Sequence, residues 1–271
     1  MRFRLTIKPV RLSCDIPLSY NYYLATAIYR WIEQSSPDYS SFLHEKGFSV
    51  EGTIRRFKHF CFSYLVIPER RVLGNRLEIN SPRITWFIGM PVEETLKHLI
   101  IGIFEKQEFY IENNSNKFLV EQVEVTRDPE WHRRMKFRMI SPLTISIPEE
   151  RNGRITPHYL RPDDPRLSDA LRKNIINKYH SLNGESLGKL QDDEFKCELD
   201  KTFIAERGGP ERISKLITIK EGHKEETRVR GFMCPILIEG NPDLIKLSYE
   251  SGLGEKGSLG FGMLEKFRED N

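Results

Sequence analysis

Two successive runs of secondary-structure signals, each ordered strand, helix, strand, strand, helix, strand, predict an α+β protein of two tandem ferredoxin-like domains, the βαββαβ arrangement shared with RRM modules. Three observations carry that expectation. Apolar patterns of period 2 and period 3.6 alternate along the chain, the second half repeats the first more loosely, and 271 residues suffice for two domains of ordinary size.

The first strand is Arg2 to Pro9, where charged and apolar residues alternate as on a half-exposed strand. Tyr22, Leu24, Ala27, Ile28 and Trp31 then recur at helical spacing, and Pro37 and Gly47 divide the segment into a helix of about four turns and a shorter one. Phe57 to Ile67 is strongly β-prone, and "RLEIN" and "RITWFIGM" read as the strands of a hairpin. "PVEETLKHLIIGIFEK" opens on proline and two acidic residues and spaces Leu96, Leu99, Ile100 and Ile103 as a helix does. "EFYIE" and "KFLVEQVEV" close the half as strands.

In the second half "MKFRMISPLTISI" supplies a strand, "SDALRKNIINKYHSL" a helix, and "EFKCELD" and "RISKLITIK" strands. "RVRGFMCPILIEG" reads as one further strand, "NPDLIKLSYESG" as a short helix opened by Asn-Pro, and "LGFGMLEKF" as the last strand. The domains are drawn as 1–122 and 123–271, with no Pro/Gly/Ser-rich linker between them; "RNGRITPHYLRPDDPR" is the most loop-like stretch.

Composition narrows the function. No apolar run reaches the ~18 to 20 residues of a membrane span, and the N-terminus does not read as a signal peptide, so a cytoplasmic protein is expected. The cysteines (Cys14, Cys61, Cys197, Cys234) are scattered without a CxxC pair, and no HExxH or HxH occurs, so neither a metal nor another cofactor is expected. Lys and Arg number 42 in a chain of net charge +3, which suits local basic patches for a polyanion and equally a mixed-sign solvated surface.

Residues 252–262, "GLGEKGSLGFG", hold five glycines in eleven positions. A Walker A loop would need Lys and Ser/Thr where Ser258 and Leu259 stand. The GxGxxG string of Gly252, Gly254 and Gly257 follows a helix and precedes a strand, the reverse of a dinucleotide site. A helix cap and turn would explain one or two glycines. Five suit a loop whose backbone presses against something bulky and anionic, with Lys256 and Ser258 adding a charge and a hydroxyl. Beside a ferredoxin-like sheet, that is a surface for RNA.

"SGLGEKGSLGFGML" resembles the C-terminal glycine-rich motif of the CRISPR-associated RAMP-superfamily endoribonucleases, which cut CRISPR precursor RNA within its repeats. "YYLATAIYRWI…FLHEKG", "FKHFCFSYL", "SPLTI" and "GFMCPILIEGNPDLIKLSYESG" are similar to that family in the same order, so the likeness spans nearly the whole chain. The resemblance implies metal-independent cleavage in which the ribose 2′-oxygen attacks phosphorus, leaving a 2′,3′-cyclic phosphate and a 5′-hydroxyl. Such a reaction needs a proton acceptor, a proton donor and a cation, and histidine suits either proton role.

By the same resemblance His44 corresponds to the general acid/base, Tyr29 to a tyrosine that orients the 2′-OH, and Lys58 to a lysine that holds the scissile phosphate; Lys46 is the alternative cation. Each also has a plainer reading: packing for Tyr29, a helix-end residue for His44, a solvated basic run for Lys58. Strand alternation puts His59 on the face opposite Lys58. RNA contacts are expected from Gly252, Gly254, Lys256, Gly257, Ser258, Gly260 and Gly262, and from Arg55 and Arg56 through phosphate; His132, Arg133, Arg134 and Lys136 form a second basic cluster. The implied partner is CRISPR repeat RNA, with an effector complex as a further one, for a monomer or homodimer. A non-catalytic RNA-binding RAMP subunit of such a complex is the alternative, and a protein–protein adaptor a more distant one.

Overall fold

The computed structural model describes every residue except 51, 53, 54, 152, 185–192, 223 and 268–271. The first half contains β1 (Arg2–Pro9), α1 (Asn21–Ser35), β2 (Cys61–Phe62), β3 (Ile84–Gly89), α2 (Glu93–Glu105), β4 (Glu108–Tyr110) and β5 (Lys117–Val125). They build one antiparallel sheet in the order β2-β3-β1-β5-β4. Phe3, Leu5 and Ile7 alternate inward from β1 and are buried with Leu24, Ile28 and Trp31 of α1 and Leu99 and Ile103 of α2. Gly102 lets the two helices touch: a Cβ there would stand 1.7 Å from the Trp31 carbonyl oxygen.

The second half repeats the plan with β6 (Arg134–Met139), α3 (Leu167–Asn183), β7 (Phe195–Leu199), β8 (Ile236–Gly240), α4 (Pro242–Ser251) and β9 (Leu264–Lys266). Its sheet runs β7-β8-β6-β9, antiparallel throughout, the same spatial order as β2-β3-β1-β5. The molecule is therefore a tandem of two ferredoxin-like folds, each with its own buried core. No helix among the described residues is long and apolar enough to cross a membrane.

Several strand expectations are corrected. Arg76–Ile79 is no hairpin partner of β3; it pairs with Arg70–Leu73 and Cys14–Pro17 in a small separate sheet. "RVRGFMCPILIEG" splits into Thr227–Phe232, which pairs with Ser214–Ile219, and β8, because Pro235 between them has no N–H for a continuous ladder. Within the stretch read as a loop, Arg154–Tyr159 is a strand, paired with Ser146–Arg151 in a two-stranded hairpin whose edges accommodate Pro148 and Pro157. Only Cys61–Phe62 of the β-prone run joins the first sheet as a strand, with Val66 adding an isolated bridge to Thr85.

Candidate active site

After α1 the chain enters a short helix, Pro37–Ser41, capped by the Ser36 hydroxyl, which accepts from the Tyr39 N–H. It runs into one wide turn, Phe42–Lys46, closed when Gly47 N–H donates to the Phe42 carbonyl five residues back at 2.7 Å. Gly47 has φ +61°, and a Cβ would stand 2.6 Å from the Phe57 carbonyl oxygen. Only glycine lets the chain fold back so tightly here, pairing Phe48–Ser49 with Arg56–Phe57. The hairpin carries Lys58 beneath the turn. Its ammonium donates to the carbonyls of Leu43 and, at 2.5 Å, His44, while Arg56 donates to the Glu45 carbonyl. Burial, and then Arg56, lower the Lys58 pKa from the ordinary lysine value.

His44 is exposed on this turn, and the Tyr29 ring from α1 meets it edge-on, centroids 5.4 Å apart. Phe60 also packs edge-on against Tyr29 at 5.6 Å, and the Ser258 side chain stands near enough to the Tyr29 hydroxyl to influence its titration. Burial pushes the Tyr29 phenol up to about 12 and Ser258 opposes the rise, so near neutral pH Tyr29 is a hydrogen-bond donor and not a base. The three residues assigned by resemblance thus come together, and Ser258 joins them from the other half of the molecule.

The glycine segment approaches its neighbours as closely as expected, but at most positions the neighbour is the protein. A Cβ on Gly254 would lie 2.4 Å from the Thr144 oxygen, on Gly260 2.5 Å from the Phe62 ring, and on Gly262 1.9 Å from the Leu253 oxygen. Gly252, with φ +82°, would press on Cys61. These four are buried, while Lys256, Gly257 and Ser258 lie within the half-exposed stretch 255–259, and Gly254 lines a cavity together with those three. At Gly252, Gly260 and Gly262 the close approaches are met by protein atoms, which account for those glycines by packing alone.

A cavity of about 330 Å³ lies beside the cluster, between the two halves. Arg55, Arg56, Lys58, Lys256 and Ser258 line it from the solvent side, and His59, Asn174 and Lys178 from the buried side. Lys58 and His59 do not point to opposite faces as strand alternation implied: His59 has φ +49°, the alternation breaks, and both line the cavity. Burial and the Lys178 charge lower the His59 pKa to about 3, and burial brings Lys178 down to about 8. Lys178 donates to the Gly252 carbonyl at 2.6 Å. Asn174 and Lys178 went unnoticed in the sequence. The signal was two polar residues four apart, set in the apolar stripe of Leu171 and Ile175 on α3.

The second basic cluster stands elsewhere. His132, Arg134 and Lys136 line a wide groove of about 1080 Å³ with Arg2 and Arg4 from the first sheet. Arg134 pairs with Glu239 at 2.8 Å, Lys136 with Asp200 at 3.1 Å and Arg133 with Glu194 at 2.5 Å. Among the described residues no three His, Cys, Asp or Glu side chains gather as a metal site.

Comparison with known proteins accords with the two-domain fold. Residues 15–124 match the family described as "CRISPR-associated protein Cas6, N-terminal", and residues 126–266 match "CRISPR associated protein Cas6, C-terminal". A relative from Methanocaldococcus jannaschii named CRISPR-associated endoribonuclease Cas6 1 is 27% identical over 94% of this chain and 89% of its own length. A solved structure described as "Characterization of a Cas6-related gene from Pyrococcus furiosus" superposes with a TM-score of 0.81 at 25% identity, covering 100% of this chain and 99% of the other. A third, described as "An RAMP protein binding different RNA substrates", shares the fold with a TM-score of 0.80 at 22% identity, over 99% and 100%.

Proposed function

Because the chain belongs to the Cas6 family of CRISPR-associated proteins, we propose that it is an endoribonuclease cutting precursor CRISPR RNA within its repeats, by general acid/base catalysis without a metal ion. The observation that carries the proposal is the grouping of Tyr29, His44 and Ser258 beside a cationic rim. The 2′-oxygen bonds to phosphorus as the P–O5′ bond breaks; His44 takes the 2′-OH proton or returns one to the departing 5′-oxygen. Tyr29, protonated, donates to the reacting oxygens. Lys58 holds the His44 turn through its carbonyls and lends positive charge to the phosphorane. Arg55, Arg56 and Lys256 neutralise RNA phosphates, and the groove bearing His132 and Lys136 is a second basic surface for the repeat. We carry the division into 1–122 and 123–271 and a cytoplasmic location as part of the proposal. The two buried cores, whose members stop at Val120 and resume at Met135, support two domains, and the pairing of β5 with β1 as far as Val125 puts the boundary a few residues beyond 122.

The test is cleavage, in EDTA, of repeat RNA from the array of the source genome. Wild type cuts; His44→Ala is slower by ~10² to 10⁴-fold while still binding, and a 2′-deoxy substitution at the cut site blocks wild type. Tight binding by wild type without cutting would make the protein an RNA-binding subunit instead.

A further inference from the structure

We propose that the inner end of the cavity between the two halves is a specificity pocket for one unstacked nucleobase bearing an exocyclic amine. The inference rests on the nuclease reading above and names what that site recognises beside the scissile bond.

The motive is a pair of buried acceptors that have no donor. Asn174 is 2% exposed, and its Oδ1 has no hydrogen-bond partner. His59 is 3% exposed, and its tautomer follows from its neighbour. The Ser181 hydroxyl donates its single proton to the Lys178 carbonyl at 2.8 Å, so the same oxygen accepts from His59 Nε2, also at 2.8 Å. The ring proton therefore sits on Nε2, and Nδ1 is a bare lone pair, likewise without a partner. Native proteins keep few such orphans, because an unpaired buried acceptor has given up water for nothing.

Both residues line the cavity, and so does Lys178. Two acceptors repel a phosphate, and the Lys178 ammonium repels a second cation. A neutral group with two N–H bonds satisfies both conditions, and the amine of adenine, cytosine or guanine is such a group; uracil has none. The volume, about 330 Å³, is at the small end of ligand pockets, and Phe57 offers a ring for stacking. Lys58 and Ser258 line the same cavity, so the base belongs to a nucleotide next to the cut.

The experiment is single-turnover cleavage of the repeat RNA with each of the three nucleotides on either side of the cut made abasic in turn. At the sensitive position the amine alone is then removed, with purine riboside for adenine, inosine for guanine or zebularine for cytosine. Wild type cuts the amine-less RNA about tenfold or more slowly. Asn174→Leu and His59→Phe cut both RNAs at one reduced rate, whereas Asn174→Asp, which keeps an acceptor, retains the preference. Should those variants fail to fold, the wild-type comparison of the two RNAs still decides. Cleavage by wild type that ignores the amine at every position overturns the pocket and leaves the nuclease standing. Failure of wild type to cut any repeat RNA overturns both.

Discussion

The ammonium of Lys58 is committed to two backbone carbonyls of the turn that carries His44, so its first effect is to fix where the histidine stands. His59 next to it has a different consequence, for stability. Its pKa is about 3 in the folded protein, held down by burial and by Lys178, against about 6.5 in an unfolded chain. Below pH 6.5 the unfolded chain gains a proton that the native state refuses, so stability falls as pH drops through that window to about 3, by up to roughly 4 kcal/mol. Chemical denaturation between pH 3 and 7 should give a steep acid limb for wild type and a shallower one for His59→Phe; parallel limbs would refute this. Tyr29 and His44 were legible in the sequence through the resemblance of their surroundings. Asn174 and Lys178 were not, because a polar residue buried inside a helical stripe looks like an ordinary solvated position until the opposing domain is in place.

At the level of elements, the glycine segment is a buried wedge with one exposed face. A Cβ on Gly260 would stand 2.5 Å from the Phe62 ring and 2.8 Å from the Asn21 side chain, whereas at Gly222, also at positive φ, nothing lies within 4 Å. Gly260→Ala should therefore cost roughly 1 to 3 kcal/mol of overpacking beyond the ~1 kcal/mol of backbone strain that Gly222→Ala incurs alone. Thermal unfolding reads the difference, and equal shifts for the two variants would contradict the wedge. The order of elements was legible from periodicity, and so were α1 and α2, whose apolar stripes match what they bury. What periodicity missed was partnership. Short runs such as Arg76–Ile79 and Thr227–Phe232 carry strand character but nothing that names the strand they pair with, so they were credited to neighbours in sequence.

On the scale of the whole molecule, the halves are fastened along α4 and the segment after it. The Arg2 guanidinium lies 3.4 Å over the Tyr249 ring and donates to the Tyr249 carbonyl at 2.9 Å, and Asn21 donates to the Gly260 carbonyl at 3.2 Å. The cationic rim thereby gathers residues from both domains, and on the proposed function it is what makes RNA binding respond to salt. Replacing Arg55 and Arg56 by alanine should make the plot of log affinity against log salt shallower by about 1.4, at ~0.7 for each lost phosphate contact, without changing sequence preference. An unchanged slope would remove both arginines from the RNA path. The approach of Ser258 to Tyr29 also has a meaning in time. Ser258 leaves the ribosome 214 positions after His44, which at ~5 to 20 residues per second is a delay of roughly 10 to 40 s. For that interval Tyr29 and His44 are already made but lack the far wall of their site, so on the proposed reading a nascent chain surrounded by messenger and ribosomal RNA carries no finished blade until the glycine segment has been translated.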